Sequence, residues 1–221
     1  MESLVHAGKL AIVLALAVLV TAPVHAGAPE DFAQAAKIYA AGDVVGSMPL
    51  LRRSANAGHA PAQVLLAEIL DRSEFDEEAV SYYRKAAEQG SADGQFGLGS
   101  MYSIGEGVKK DLDTARRWIR MAADQGHKQA VCVMAQAFLS AQLGISDKDR
   151  YSEEARRWIR QAADLGFLPA IDALVLAYRE GSPGIEPDAS EAGRWQAKAN
   201  ELRGLRPTSG KGKGRNKEVK K

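Results

Sequence analysis

The sequence predicts an all-α solenoid of about four helix-turn-helix repeats, closed by a capping helix at each end. Three observations predict it. First, Gly58, Gly90, Gly126 and Gly166 recur at spacings of 32, 36 and 40 residues. Second, residues at fixed offsets from these glycines match. Three positions before them stand Ala55, Ala87, Ala123 and Ala163, and six before stand Arg52, Arg84, Arg120 and Arg160. Eight after stand Leu66, Leu98, Met134 and Leu174. Third, the matched positions on each side of the glycine lie three or four residues apart, the apolar stripe of a helix. A hairpin this small cannot bury its stripe alone, so the copies must stack.

Taken in order, the chain opens on MESLVHAGKL AIVLALAVLV TAPVHA. Lys9 precedes an apolar run from Leu10 to Val20, too short to span a bilayer core. Val24-His25-Ala26 then supplies small residues at −3 and −1, so residues 1–26 are expected to be a Sec signal cleaved after Ala26. No stable membrane span is expected after cleavage. Asp31 to Ala41 is expected to form the N-terminal cap, and residues 27–203 the solenoid. In each unit the glycine sits where a helix C-terminus takes a left-handed residue. Asp111, Ser152 and Asp188 suit N-caps of first helices. Pro61 and Pro169 fall in the first turn of second helices, where a missing N–H is harmless. After Leu70 a short Asp71–Phe75 link replaces the glycine loop, whereas after Phe138 the loop lengthens as far as Tyr151. Ala189 to Leu202 repeats only a first helix, with Ala192 and Trp195 in register and no glycine where Arg203 stands.

Residues 204–221 form a basic tail expected to be disordered, because it has almost no apolar content. The formal charge of +1 for all 221 residues is an average. Residues 27–202 carry −6 and residues 203–221 carry +7. The tail lacks aromatics for base stacking, so no nucleic acid is expected as a partner. Lys211, Lys213 and Arg215 are its candidates for holding an acidic glycan.

Few residues invite chemistry, and no catalytic, cofactor or metal site is expected. His59 and His127 occupy one repeat column, just after the glycine, and read as turn residues. Neither has ligands at metal spacing. Cys132, the single cysteine, excludes an intrachain disulfide and reads as a buried thiol. Glu77/Glu78 and Glu153/Glu154 fall in first turns, where carboxylates complement the helix dipole. Gly94, Gly97 and Gly99 suggest a phosphate loop only superficially, since they lie inside a helical pattern. Tyr82, Trp118, Trp158 and Trp195 share one column and read as inter-hairpin packing, with a ligand-stacking row as the alternative. The arginines of the −6 column would line one ridge. Glu88, Asp124 and Asp164, four residues beyond three of them, would partly neutralise it. Arg52, Arg84, Arg120 and Arg160 are the partner-binding candidates of the body.

The segment Asp111-Leu-Asp-Thr-Ala115-Arg-Arg-Trp118-Ile-Arg-Met-Ala122-Ala123-Asp-Gln-Gly126, its copy from Ser152 to Gly166, and the glycine loop from Tyr102 to Asp111 resemble the Sel-one-like repeat. That family is related to the tetratricopeptide repeat. The resemblance covers roughly Ala28 to Arg203. It implies an exported, non-enzymatic scaffold that binds protein partners of the cell envelope through the groove and ridge of its solenoid. Binding of acidic envelope polysaccharide through the tail and the arginine ridge is the alternative. An envelope hydrolase is a further one. Some cysteine-rich exported members are associated with penicillin binding or β-lactam hydrolysis, but their paired cysteines are absent here. A periplasmic or secreted location is expected. The sequence names no oligomeric state.

Overall fold

The computed structural model describes residues 27–205. The expected signal segment, residues 1–26, and the tail candidates Lys211, Lys213 and Arg215 lie outside the described residues.

Among the described residues ten α-helices follow one another: α1 (Ala28–Ala40), α2 (Val44–Asn56), α3 (Ala60–Arg72), α4 (Asp76–Glu88), α5 (Ala92–Ile104), α6 (Leu112–Asp124), α7 (Lys128–Ser140), α8 (Glu153–Asp164), α9 (Leu168–Glu180) and α10 (Ala189–Leu202). A short 3-10 helix, Asp147–Tyr151, occupies the long loop after α7. The hairpins α2–α3, α4–α5, α6–α7 and α8–α9 are units 1 to 4, and α1 and α10 cap the stack. Consecutive helices pack on one another, and second helices of neighbouring units also touch, α3 on α5 and α7 on α9. Long-range contacts are thus mostly between neighbours, as in a quasi-one-dimensional solenoid.

Local chemistry sets the ends. Asp111, Ser152 and Asp188 each accept backbone N–H bonds from the first turn of α6, α8 and α10. Asp43 does the same for α2. The four turn glycines have φ between 82° and 91°, a region closed to most L-residues. At the C-terminal cap the helix forms as expected over Ala189–Leu202, with no glycine at the repeat position. Arg203 is the C-cap, and the left-handed residue is Gly204, one position later, at φ 67°. The cap helix is one residue longer than α6, so its stripe stays in register with Asp188 while its glycine moves on.

The small columns sit at the centre of the stack. Ala55, Ala87, Ala123 and Ala163 are buried, as are Ala62, Gly94, Ala130 and Ala170 on the second helices. A Cβ at Gly94 would collide with Ala86 of α4, and one at Gly99 with Ile119 of α6. The Gly94, Gly97 and Gly99 series therefore serves close helix approach. Leu66, Leu98, Met134 and Leu174 are buried behind these columns. Each such side chain contributes about 1.5–3 kcal/mol through apolar burial. Most of the buried apolar residues fall into two clusters, one from α1 to α5 and one from α6 to α10. Among the described residues no single helix is long and apolar enough to cross a membrane.

Candidate interaction surface

The arginine column is held by a rule of two units. In units 1 and 3 the arginine reaches forward to the first turn of the next unit. Arg52 makes a two-pronged pair with Glu78 of α4, with Nη2 donating to Oε2 at 3.3 Å. Arg120 approaches Glu154 of α8 at 3.3 Å. In units 2 and 4 the arginine turns to a tyrosine on its own second helix. Arg84 donates to the Tyr102 hydroxyl at 3.0 Å, and Arg160 donates to the Tyr178 hydroxyl. The residue twelve after the glycine decides which happens. It is Leu70 or Phe138 where the arginine goes forward, and Tyr102 or Tyr178 where it stays.

This revises the expected intrahelical pairs. Arg120–Asp124 forms at 3.7 Å, but neither Arg84–Glu88 nor Arg160–Asp164 stands among the ion pairs of the described residues. Arg157 of α8 reaches back to Asp124 at 3.3 Å instead. Hydrogen bonding to Arg52 holds the Glu78 carboxyl below its ordinary range. The helix-dipole reading of Glu78 and Glu154 is therefore incomplete. Both carboxylates also tie one unit to the one before. Arg84 and Arg160 have no carboxylate within 4 Å among the described residues, so their charge is not neutralised by a direct pair.

The aromatic column packs inward. Trp158, Trp195 and Tyr82 are buried and Trp118 is partly buried. Trp158 Nε1 donates to Glu154 at 3.3 Å, and the Tyr82 hydroxyl donates to Asn56 at 2.8 Å. With these rings enclosed, the column offers no open stacking row. The guanidinium groups of Arg157 and Arg194 lie over the rings of Trp158 and Trp195, at 4.2 and 5.0 Å from the ring centroids.

Two features escaped the sequence reading. The column after the glycine is the N-cap of the second helix: His59, Ser91, His127 and Phe167. The His127 Nδ1 accepts the Ala130 N–H at 3.1 Å, while its Nε2 faces Asp93 at 3.2 Å. Its ring stacks on Phe96 at 4.7 Å. Burial pushes the His59 imidazole below its usual range. The second feature is a ladder of amides. Gln63 donates to the Ala55 carbonyl at 3.0 Å and accepts from Gln89 at 2.7 Å. One unit on, Gln95 donates to Ala87 at 3.4 Å and accepts from Gln125 at 2.8 Å. Its sequence signals are the recurrence of Gln five residues after Gly58 and Gly90 and of Gln one residue before Gly90 and Gly126. Cys132 is half-buried, less enclosed than expected, and burial raises its thiol pKa. Among the described residues no three His, Cys, Asp or Glu side chains gather as a metal site.

A model of the Sel1 repeat matches residues 76–91, 92–127, 133–167 and 173–203, more than half of the chain. No curated protein matches the sequence. Two solved structures are similar in both sequence and fold. The first is c5321, a protective antigen of uropathogenic Escherichia coli strains displaying an SLR fold. Its TM-score is 0.69 at 28% identity, over 79% of this chain and 38% of that one. This chain thus spans well under half of that antigen. The second is a Sel1 repeat protein from Oxalobacter formigenes, with TM-score 0.64 and 27% identity over 79% of this chain and 73% of that one. The immunity protein PA5088 from Pseudomonas aeruginosa is similar in fold alone, with TM-score 0.50 and 18% identity over 80% of this chain and 68% of that one.

Proposed function

The chain belongs to the Sel1 repeat family, whose members generally act as non-enzymatic protein-interaction scaffolds, and on that premise we propose that it is an exported scaffold for protein partners of the cell envelope. The observation that carries this reading is the continuous stack. Four hairpins and two caps spend their contacts on neighbours, which leaves a long surface whose chemistry changes unit by unit. Within it, Arg84 and Arg160 favour a partner that brings carboxylates, because both keep an unneutralised guanidinium. Arg52 and Arg120 contribute less, being committed to Glu78 and Glu154.

Export is supported by the signal-like run and by α1 beginning at Ala28, two residues past the predicted cleavage point. The Ala28 carbonyl accepts the buried Ser54 hydroxyl at 2.6 Å, so a chain starting at Gly27 keeps its first helix docked. Sequencing the N-terminus of the envelope fraction tests this. A start at Gly27 is the expected outcome, and a chain that retains Lys9 in the membrane fraction overturns it.

The scaffold reading is tested by photo-crosslinking in cells, with the probe placed beside Arg84 or Arg160. Expected is a discrete adduct of defined stoichiometry that weakens in Arg84→Glu and Arg160→Glu. Adducts unchanged by both reversals remove the ridge. Loss of envelope association on deleting residues 206–221 would favour acidic glycan held by the tail over a protein partner. Turnover of cell-wall substrates by the purified chain would overturn the non-enzymatic reading.

A further inference from the structure

Units 3 and 4 carry the same cavity in the same place. In unit 4 a groove of about 520 Å³ opens between the end of α7, the 3-10 helix, α8 and α9. In unit 3 a groove of about 500 Å³ opens between α5, the glycine loop, α6 and α7. Equivalent columns line them: Ile119 and Ile159 from the first helices, Val133 and Ala173 from the second. In unit 2 the same two columns hold Tyr83 and Gly97. There the Tyr83 ring lies where a Cβ at residue 97 would stand, and it is buried. A tyrosine seated on a glycine thus takes up space in unit 2 that stays open in units 3 and 4.

The openings collect apolar side chains that the stack leaves in water. Ile104 is 58% exposed at the unit 3 groove, and Tyr151 and Leu176 are 52% and 54% exposed at the unit 4 groove. The charge at their walls is cationic. Lys110 lines the first and Arg150 and Arg156 the second, against the single acid Glu180. Arg150 is paired with Asp147 at 3.5 Å. Arg156 donates to the carbonyls of Tyr151 and Pro183, and among the described residues neither it nor Lys110 has a carboxylate within 4 Å. An occupant of complementary charge therefore carries both large apolar side chains and carboxylates.

Spacing narrows the conformation. The grooves are one repeat apart, and α7 and α9 touch. Helices in contact lie about 8–10 Å apart. A polyproline-II segment returns to the same face every three residues at about 3.1 Å per residue, or about 9 Å. We propose that the paired grooves of units 3 and 4 hold an extended acidic peptide whose large apolar side chains stand three residues apart. This rests on the scaffold reading above and names the partner class for one part of the surface.

The test uses the full chain, expressed with its own leader and purified as processed. The probe is the fluorescein-labelled octapeptide Glu-Asp-Leu-Pro-Pro-Leu-Asp-Glu, read by fluorescence anisotropy. Saturable binding that weakens with added salt is expected. Replacing either leucine by serine, or the four acids by lysine, weakens it about tenfold or more, since burying one leucine is worth about 1.5–3 kcal/mol. On the protein side, Ile159→Tyr with Ala173→Gly transplants the unit 2 filling into unit 4. It is expected to lower affinity about tenfold while circular dichroism stays unchanged. If that variant does not fold, exposed Leu176→Ser carries the same expectation. Failure of the native chain to bind the probe overturns the proposal, as does undiminished binding by the folded variants. Dimers that Leu176→Ser disperses, with no probe binding, would assign the grooves to a second copy. Binding seen only after removal of residues 206–221 would assign them to the chain's own tail. The scaffold reading fails separately: if the native chain does not bind the probe while its crosslinked partners persist, only the groove assignment falls.

Discussion

Units 1 and 2 are built on the same backbone plan as units 3 and 4 but hold it together differently. The N-terminal half runs a ladder of buried amides through its core, with Gln63 and Gln95 each 2% exposed and each bonded on both sides. The same column in the C-terminal half is Val131 and Ile171, both buried and apolar. The first-helix column beside it changes as well, from Leu51 and Tyr83 to Ile119 and Ile159. The comparison teaches that the repeat constrains size and backbone approach at the alanine and glycine columns. It leaves the next layer free to be polar and filled, or apolar and grooved. The two buried clusters follow this division, and α5 bridges them. Leu98 and Met101 belong to the first cluster, and Phe96 packs against the second.

The strongest way to break the comparison is Trp158→Ala. Trp158 is the largest fully buried side chain of the C-terminal cluster, and truncating such a residue costs about 3–5 kcal/mol. In a stack of neighbour contacts the loss stays local. Hydrogen exchange is expected to rise across α8 to α10 while α2 to α4 keep their protection. Uniform loss along the chain would mean that the two halves fold as one unit.

The next test exchanges the chemistries. Val131→Gln puts an amide into a column whose neighbour at the ladder position is Leu165, which has no side-chain donor or acceptor. A buried polar group left unpaired costs about 1–3 kcal/mol. Gln63→Leu removes a rung, but the freed Gln89 is exposed and can hydrate. Its cost is expected near the lower end of about 1–3 kcal/mol. Chemical denaturation of both variants checks the asymmetry, and equal costs would argue that the ladder owes nothing to its partners.

What was legible in the sequence follows from how local each signal is. The turn glycines, the alanine columns and the Asp111, Ser152 and Asp188 caps are chosen by backbone geometry within a few residues, so spacing alone revealed them. The arginine ties are choices between partners. Arg84 has Glu88 one turn away on its own helix, and yet it bonds Tyr102, eighteen residues on. The alternation of Leu70, Tyr102, Phe138 and Tyr178 was visible as a column. Its consequence for Arg52, Arg84, Arg120 and Arg160 depends on which second helix faces which first helix. The grooves are harder still, because a cavity is the absence of a side chain. Only the contrast of Tyr83 over Gly97 with Ile159 over Ala173 encodes it.

A cap gives a smaller effect and sharpens the local side of the argument. Ser152→Ala removes the hydroxyl that accepts the Ala155 N–H at 3.1 Å. The expected cost is about 1 kcal/mol, measured by thermal unfolding. The damage should appear first as fraying at Glu153 and Glu154. Since Glu154 carries the tie to Arg120, the same variant is expected to loosen unit 3 from unit 4.

The smallest effect distinguishes the halves by acid. Arg52 and Glu78 are about 40% exposed, so solvent screens their pair to a contribution of about 0.2–1 kcal/mol. Bonding to Arg52 lowers the Glu78 pKa in the folded chain. A carboxyl with a depressed folded pKa contributes stability that is present above its unfolded pKa, near 4.5, and lost as pH falls through the folded value. Arg52→Met, Glu78→Gln and the double variant are therefore expected to show a coupling at pH 7. That coupling should shrink with salt and vanish once the pH falls below the folded pKa of Glu78. A coupling that persists in acid would locate the tie in packing of the arginine stem and not in charge. Units 1 and 2 would then be joined by apolar contact at this point and not by charge.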